Sequence, residues 1–296
     1  MPGKNSGRTS KPLTREIQIS KKLSWLLRHG AESEKLSLQT GGYAKLSDVL
    51  SNRNLRSLKV TFDEVREIVQ ENDKQRFSLI PISSLKGDAV EGERAGDGGE
   101  GDAEGEAGDE QDGLMANNPE NWLIRANQGH SLKIDSEGLL TPLTLSSPDL
   151  PTTVVHGTTH KAWVLIQASG GLKPMGRNHV HFASGLPANF KSVLDSAETT
   201  NTTSPNTDVT ARPPVISGMR QSSTILIFLD LKRALEAGLS FGQSENGVIL
   251  TEGNAEGLVS LELCSRVEDR TGEGVLLLDG KVVKEAPVTW GARKGR

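Results

Sequence analysis

The chain has 296 residues, of which 34% are hydrophobic and 4% aromatic, and a net charge of −4. These fractions are low for one fully packed globule, so part of the chain is expected to be unstructured. The lone cysteine, Cys264, excludes an intramolecular disulfide and a cysteine-based zinc site, and it suits a reducing compartment. The longest apolar stretch, residues 224–231, is far shorter than a membrane span, which predicts an intracellular protein with no membrane anchor.

The charge is distributed unevenly along the chain. Residues 86–113 contain eleven acidic and two basic side chains, and subtracting this −9 from the total of −4 leaves +5 on the rest. A mildly basic body suits a polyanionic partner. The composition also predicts a disordered tail over residues 1–15, a disordered acidic insertion over 86–118, and a flexible Ser/Thr/Pro-rich insertion over 191–222.

The first structured block, residues 16–140, is expected to be helical at its start. Ser20 and Ser47 are candidate N-caps of two helices, and Thr61 opens a capping box before a third helix. Residues 76–80 and 122–126 alternate or are apolar, which predicts two paired strands. Three helices followed by a hairpin form a winged-helix pattern, with the acidic insertion at the tip of the wing.

The second block, residues 150–285, alternates short strands with short helices. This order predicts an α+β lobe built on an antiparallel or mixed β-sheet. The chain contains neither the GxGxxG nor the GxxxxGK[ST] motif, which argues against a Rossmann domain and a P-loop.

The six histidines fall in four short segments, and three of these segments also contain an arginine. Arginine binds phosphate through a forked, permanently charged group, and histidine transfers protons near neutral pH. Arg28-His29 closes the first helix and could simply be a basic C-cap. The run from Arg125 to Ser131, RANQGHS, could be a polar turn, but its dense set of donors at a strand end favours a ligand site.

The other two segments lie in the second block. His156-Gly157-Thr158 ends a strand and can present an imidazole and free backbone groups to a cofactor. Arg177, His179 and His181 alternate, so on a strand they would share one face. A two-histidine metal site is an alternative, but no acid or cysteine lies nearby to complete it, so this face favours a phosphate or sugar.

These segments, in this order, resemble the RNA 2′-phosphotransferase family, the NAD-dependent enzymes of tRNA splicing. The resemblance is carried by SKKLSWLLRHGA (20–31), GGYAKLSDVL (41–50), IRANQGHS (124–131), VVHGTTHKAWVLIQASGGLKPMGRNHVHFA (154–183) and SENGVILTEG (244–253). It implies an N-terminal winged-helix RNA lobe followed by a C-terminal ADP-ribosyltransferase-like NAD lobe with a mixed β-sheet.

The resemblance also implies a reaction. A 2′-phosphate on tRNA attacks C1″ of the nicotinamide ribose of NAD, the co-substrate, and expels nicotinamide. The ribose 2″-OH then attacks phosphorus, which releases RNA with a free 2′-OH and ADP-ribose 1″,2″-cyclic phosphate. An alternative is an ADP-ribosyltransferase that acts on another nucleic-acid or phosphate acceptor and stops after the first step. A second alternative is a non-catalytic module that binds phosphorylated RNA ends.

The family's functional residues match positions in this chain. The implied catalytic residues are Arg28, His29, Arg125 and Arg177, and the substrate-phosphate region includes Asn127, Gln128, His130 and Ser131. The implied NAD-binding residues are His156, Gly157, Thr158, His181 and Val248. The strand around Val248 lacks the glutamate common in ADP-ribosyltransferases, which favours a nucleophile that is already ionised. The expected partners are 2′-phosphorylated tRNA and NAD, with no metal, in a monomer of the cytoplasm or nucleus.

Overall fold

The fold is described from a computed structural model, for residues 13–84, 117–134, 137–188, 190–194 and 219–291. A helical N-terminal part with a three-stranded sheet precedes a C-terminal part built on a nine-stranded sheet. The α+β class predicted from the sequence is confirmed. Most of the predicted acidic insertion (86–118) and of the 191–222 loop lies outside the described residues, as do residues 1–12 of the predicted tail.

The described residues of the N-terminal part include four α-helices: α1 (Arg15–Trp25), α2 (Leu46–Ser51), α3 (Arg53–Arg56) and α4 (Phe62–Glu71). Helix α1 continues into a wide π-helical turn, Leu26–Gly30. The capping box at Thr61 is confirmed, because its hydroxyl accepts from the Glu64 amide while the Glu64 carboxylate accepts from the Thr61 amide.

Two predicted N-caps are wrong. Ser20 lies inside α1, whose N-cap is Thr14. The helix begins earlier because its buried face includes Ile19, one turn before Leu23. Ser47 lies inside α2, and its hydroxyl donates to Glu120 at 3.1 Å instead of capping the helix. In both cases a hydroxyl residue within the first turns resembles a cap in the sequence, but an earlier residue begins the helix.

The three-stranded sheet has the order β1 (Ala44–Lys45), β3 (Trp122–Ala126), β2 (Phe77–Pro81), and all its pairs are antiparallel. The predicted pairing of two strands is therefore confirmed, with Phe77 opposite Ala126. The sheet and the helices enclose one apolar cluster that includes Leu23, Leu26 and Ile124. The assignment of this part as a winged helix stays a prediction.

The nine-stranded sheet forms the body of the C-terminal part. Its strands are β4 (Leu140–Leu143), β5 (Val154–Thr158), β7 (Val180–Ala183), β8 (Ile225–Leu229), β9 (Phe241–Ser244), β10 (Val248–Thr251), β12 (Cys264–Asp269), β13 (Gly274–Leu278) and β14 (Lys281–Val282). Their order is β14-β13-β12-β8-β5-β7-β10-β9-β4, and every described pair is antiparallel, so the expectation of a mixed sheet is wrong.

Two helices and a short ribbon complete this part: α5 (His160–Ala168), α6 (Leu231–Glu236), and the two-stranded pair of β6 (Gly171–Leu172) with β11 (Val259–Ser260). Thr159 caps α5, because its hydroxyl accepts from the Ala162 amide at 3.4 Å. Trp163 of α5 is 1% exposed and belongs to the same apolar cluster as Phe182 and Ile227 of the sheet. Burial of such large side chains contributes roughly 1.5–3 kcal/mol each, so this cluster gives the sheet a fixed frame.

The prediction that Arg177, His179 and His181 share one face of a strand is wrong. Strand β7 begins only at Val180, and the residues before it are bends. Asn178 explains the departure, because its amide donates to the carbonyl of His130 at 2.9 Å and its side chain donates to the carbonyl of Leu132 at 2.7 Å. These bonds attach the segment to the N-terminal part instead of to the sheet.

Candidate active site

The wide turn after α1 places Arg28 and His29 at the junction of the two parts. Among the described residues, Nε and Nη2 of Arg28 are buried without a hydrogen-bond partner. Burial, with the nearby charges of Arg76 and Arg177, lowers the pKa of Arg28 to about 10, so it stays a cation at neutral pH. A buried cation with two unused donors is costly unless an anion binds there.

The neighbouring His29 is exposed, and its Nδ1 lies 2.8 Å from Oγ of Ser131. Burial of the ring nitrogens and the charges of Arg28 and Arg177 lower its pKa below the usual value. The imidazole is therefore neutral at pH 7, and Ser131 fixes the orientation of its ring. A neutral, oriented imidazole can accept a proton or relay one.

Arg125 ends β3 and is 7% exposed. Its Nη1 donates to the carbonyl of Gly138 at 2.8 Å, and its Nη2 donates to Oε2 of Glu245 at 3.1 Å. The guanidinium also lies over the ring of Tyr43, 4.6 Å from its centroid. Within the described part of the chain its Nε is buried with no partner. Arg125, like Arg28, therefore has a buried N–H donor that no described residue accepts from.

The loop after Arg125 brings the predicted substrate-phosphate region into place. Gly129 has a φ of +92°, and a Cβ built on it would lie 3.6 Å from the side chain of Arg28, so the loop lies directly against that arginine. The Ser131 amide donates to the carbonyl of Arg28 at 3.1 Å. Gln128 is half-buried in the same loop.

Asn127 and His130 have different surroundings in this loop. Asn127 is buried and structural, because its side chain accepts from Ser78 and donates to the carbonyl of Gln75 at 2.8 Å. His130 is 3% exposed, and Nε2 is another buried atom for which the described residues provide no partner. Burial, followed by the charge of Arg28, lowers the pKa of His130 to about 4, which makes this imidazole neutral.

Arg177 is exposed on the C-terminal side of the same junction. Burial is the largest cause of the lowered pKa of Arg28, His29, His156 and His181, and the charge of Arg177 contributes to each of these shifts. These charge effects place Arg177 near Arg28 and near both groups of histidines, and the catalytic and binding roles of these residues stay predictions. Arg125 joins them through its effect on His130.

His156 and His181 lie on adjacent strands of the large sheet. Nδ1 of His156 is 2.8 Å from the carbonyl oxygen of His181, and Nδ1 of His181 is 2.9 Å from that of His179. A carbonyl only accepts, so each Nδ1 carries the hydrogen and each Nε2 keeps a lone pair. Burial lowers the pKa of both, that of His181 to about 3. Two neutral imidazoles with free Nε2 atoms can accept from hydroxyl groups.

Gly157 follows His156 where a second segment lies on β5. A Cβ on this glycine would approach Oγ of Ser223 to 2.6 Å and would overlap Met219, so only glycine allows this contact. Thr158 holds the same segment, since its carbonyl accepts from the Thr224 amide at 2.8 Å. The 219–224 segment is therefore held against β5 at these two residues.

Val248 is fully buried, and both its backbone polar atoms bond to Oγ of Ser244 at 3.1 Å. It pairs with Ala183 in the sheet. The structure therefore places it in the frame beneath the histidines.

Three residues of this region lack a sequence signal that could have identified them. Arg76 precedes β2, and its charge lowers the pKa of Arg28. Arg220 precedes β8, and its charge lowers the pKa of Arg177 and His156, after burial. Glu245 binds Arg125 across the junction of the two parts. Each stands outside a polar cluster in the sequence, and only tertiary folding brings it to the site.

His160 makes its contacts with other residues of the C-terminal part. Its Nε2 lies 2.7 Å from Oδ1 of Asp269, and its ring stacks on Trp290 at 4.0 Å. His160 therefore fastens the start of α5 to the sheet. Over the described ranges, no three or more His, Cys, Asp or Glu side chains are grouped as metal ligands would be. No helix among these residues is long and apolar enough to cross a membrane.

Comparison with known proteins identifies the family. The pattern of the RNA 2′-phosphotransferase, Tpt1 / KptA family matches residues 14–253. The chain belongs to this family. It is 36% identical over 258 residues to tRNA 2′-phosphotransferase 1 of Mus musculus, covering 86% of this chain and 79% of that protein. It is 32% identical over 256 residues to tRNA 2′-phosphotransferase 1 of Danio rerio, covering 86% of each.

A relative from yeast is similar over a shorter region. The tRNA 2′-phosphotransferase of Saccharomyces cerevisiae is 35% identical over 218 residues, which is 73% of this chain and 69% of that protein. The family is one of transferases, and its matched region includes every predicted site residue from Arg28 to Val248. The resemblance found in the sequence is confirmed at the level of the family.

Proposed function

We propose that this protein removes a splice-junction 2′-phosphate from tRNA and transfers it to NAD, in the last step of tRNA splicing. The products are RNA with a free 2′-OH, ADP-ribose 1″,2″-cyclic phosphate and nicotinamide. Family membership and the names of the relatives support the reaction. The observation that carries the proposal is the set of buried, unpartnered donors on Arg28 and Arg125 within the described structure.

The arginines suit a phosphomonoester. Such a group carries about −1.5 to −2 charges at pH 7 and offers several acceptor oxygens. Arg28 offers Nε and Nη2 from the buried side, and Arg125 offers Nε. Arg177 is exposed and can approach from the C-terminal side. Forked donors that converge from different elements hold an anion in one orientation and offset its charge as the phosphorus is attacked.

His29 is the residue that we assign to proton transfer. Its ring is neutral at pH 7 and is oriented by Ser131, 2.8 Å away. It follows Arg28 in the chain, so a phosphate held by Arg28 lies beside its ring. Such an imidazole can take the proton of an attacking hydroxyl or deliver one to the departing RNA 2′-oxygen.

His156 and His181 are the proposed NAD side of the site, with Gly157, Thr158 and Val248 forming its wall. NAD, when bound, supplies an electrophilic ribose carbon. The lone pair on Nε2 of each histidine suits a ribose hydroxyl or a carboxamide N–H, and Nε2 of His181 is buried with no partner among the described residues. The residues thus fit the co-substrate. Arg177, whose charge acts on both histidines, would link this proposed sugar end to the proposed phosphate end.

The same family membership supports finer assignments. We propose that residues 16–140 are a winged-helix RNA lobe and residues 150–285 an ADP-ribosyltransferase-like NAD lobe. The described helices and hairpin of the first part, and the antiparallel sheet of the second, support that division. We also propose that the protein is a monomer, and a tRNA substrate favours work in the cytoplasm or nucleus.

One assay tests the reaction. The protein is incubated with NAD and an RNA that carries a single internal 2′-phosphate, and an RNA with only a terminal 3′-phosphate is the control. We expect loss of the 2′-phosphate with formation of the cyclic phosphate and nicotinamide. A stable ADP-ribosylated RNA would instead support a transferase that stops after one step. Unchanged NAD would contradict both.

A further inference from the structure

A groove lies between helix α1 and the turn that joins α4 to β2. Its volume is about 590 Å³, within the range of small-ligand sites and large enough for one nucleotide. His29 lines one end of the groove, so it opens directly onto the proposed phosphate site. Trp25 and Lys21 of α1 line one wall, and Lys74 and Arg76 line the other.

Trp25 is held as a flat platform in this groove. A Cβ built on Gly30 would lie 2.6 Å from Cζ3 of the indole, so the ring packs against a glycine that has no side chain to displace it. The π-helical turn Leu26–Gly30 separates the two residues by five positions, the spacing of one such turn. The side chain is nevertheless 43% exposed, because its other face remains open to the groove. An open aromatic face next to a catalytic centre suits base stacking.

The charges around Trp25 suit a nucleic-acid backbone. Lys21 lies one helical turn before Trp25, on the same face of α1. Arg76 lies at the end near His29, since its charge lowers the pKa of Arg28, after burial. The groove also has acidic walls, including Glu16, which lies thirteen residues before His29 and hence roughly 20 Å away along the helix. Glu71 and Asp73 lie beside Lys74 and Arg76 on the other wall, so three acids match the three cations of the lining. Lys21, next to Trp25 on α1, and Arg76 are the cations that we assign to a backbone phosphate.

We propose that this groove binds the nucleotide next to the 2′-phosphate of the RNA, with its base stacked on Trp25 and its backbone phosphate near Lys21 and Arg76. This inference rests on the proposed function, and it adds a binding site for a flanking nucleotide. Stacking does not depend on base identity, so the site selects an unpaired nucleotide at the junction over a paired one. The phosphate and the base are then held from two sides of His29.

A kinetic experiment tests the platform. Substrates with one internal 2′-phosphate are compared when the 5′ or the 3′ neighbouring nucleotide is intact or abasic. We expect Trp25→Ala to raise KM for the intact RNA about 5- to 100-fold, with a small change in kcat, because stacking acts on binding. For one of the two abasic substrates, the one that lacks the base that stacks on Trp25, the wild type and the variant should have the same KM. An equal rise for every substrate, or no rise, would overturn the proposal.

Two control variants and a binding measurement accompany this test. Trp25→Phe keeps a smaller stacking face and should recover most of the affinity. If Trp25 had only a structural role, the change in KM would be the same whether or not the neighbouring base is present. Trp290→Ala removes a tryptophan far from the groove and should leave KM unchanged. RNA without a 2′-phosphate should quench the fluorescence of the wild type at low salt, and less so that of Trp25→Phe. Equal quenching would contradict the groove even if turnover with NAD is never seen, and absent turnover alone would contradict only the proposed reaction.

Discussion

Nη2 of Arg125 donates to Oε2 of Glu245 at 3.1 Å, and this ion pair joins the N-terminal part to the β9–β10 turn. The arginine is buried, whereas the Glu245 side chain is 57% exposed. Oγ of Ser78 lies 2.5 Å from the same carboxylate oxygen and 2.5 Å from Oδ1 of Asn127, and its single proton serves one of these acceptors at a time. An acidic side chain therefore lies on a cation that we assign to the substrate phosphate.

We expect Glu245→Gln to bind phosphorylated RNA more tightly, because the carboxylate repels the incoming phosphate. KM at low salt should fall about 2- to 5-fold, the equivalent of about 0.5–1 kcal/mol. Free protein should lose stability by a similar amount, since a buried cation loses its partner. Steady-state kinetics at low salt measures KM, and thermal unfolding of the free protein measures the stability. Glu236→Gln, an exposed acid at the end of α6, is the matched control; an unchanged or higher KM for Glu245→Gln would refute the competition.

Arg177→Ala and Arg125→Ala should separate activity from stability. Arg177 is exposed, so its loss should change the free energy of unfolding by no more than about 0.5 kcal/mol, while kcat falls about 10²- to 10³-fold. Arg125 is buried between Gly138, Glu245 and the ring of Tyr43, and its loss should also cost about 3 kcal/mol of stability. Urea unfolding and single-turnover rates test this. Full activity of Arg177→Ala would remove it from the phosphate site.

Gly157→Ala should weaken the NAD side of the site through crowding. The added methyl group would meet Met219 and Oγ of Ser223, so the 219–224 segment must shift, at a cost of about 1–3 kcal/mol. We expect a raised KM for NAD and an unchanged KM for RNA. The double variant Gly157→Ala with Met219→Ala restores space and should recover part of the loss. If the double variant is no better than the single one, crowding is not the cause.

Stability should fall in mild acid because of His130. Its pKa in the folded protein is about 4, against 6.5 when unfolded, so the unfolded state takes up the proton first. The contribution is fully present above pH 6.5 and is lost as the pH falls toward 4, by up to about 3 kcal/mol. His130→Asn should flatten the stability curve between these values. Denaturant unfolding at several pH values measures it, and a parallel curve for the variant would contradict the prediction.

The sequence predicts which segments carry polar groups better than it predicts the local structure around them. Gly129 and Ser131 of the predicted substrate-phosphate region do lie against Arg28, and their roles in binding stay predictions. The predicted boundaries of helices and strands are wrong where a tertiary contact determines where the element begins. Asn178 is the example, since its bonds to the 130–132 loop prevent Arg177 and His179 from extending strand β7.

The residues that the sequence does not reveal are those that stand alone in it. Arg76, Arg220 and Glu245 have ordinary neighbours, and nothing in their spacing distinguishes them from solvated surface charges. Their place near the site depends on pairings between segments far apart in the chain, such as Arg125 with Glu245. A capping box such as that of Thr61 is predictable for the opposite reason, because it is complete within four residues.

The wide turn at Leu26–Gly30 makes the length of this segment as important as its side chains. One more residue is accommodated here than an α-helical turn would hold, and the indole of Trp25 reaches Gly30 only for that reason. Deleting a single residue within the turn would restore a regular helix and rotate everything before it relative to His29. Insertions and deletions in this short stretch should therefore be tolerated less well than most substitutions, although the composition would hardly change.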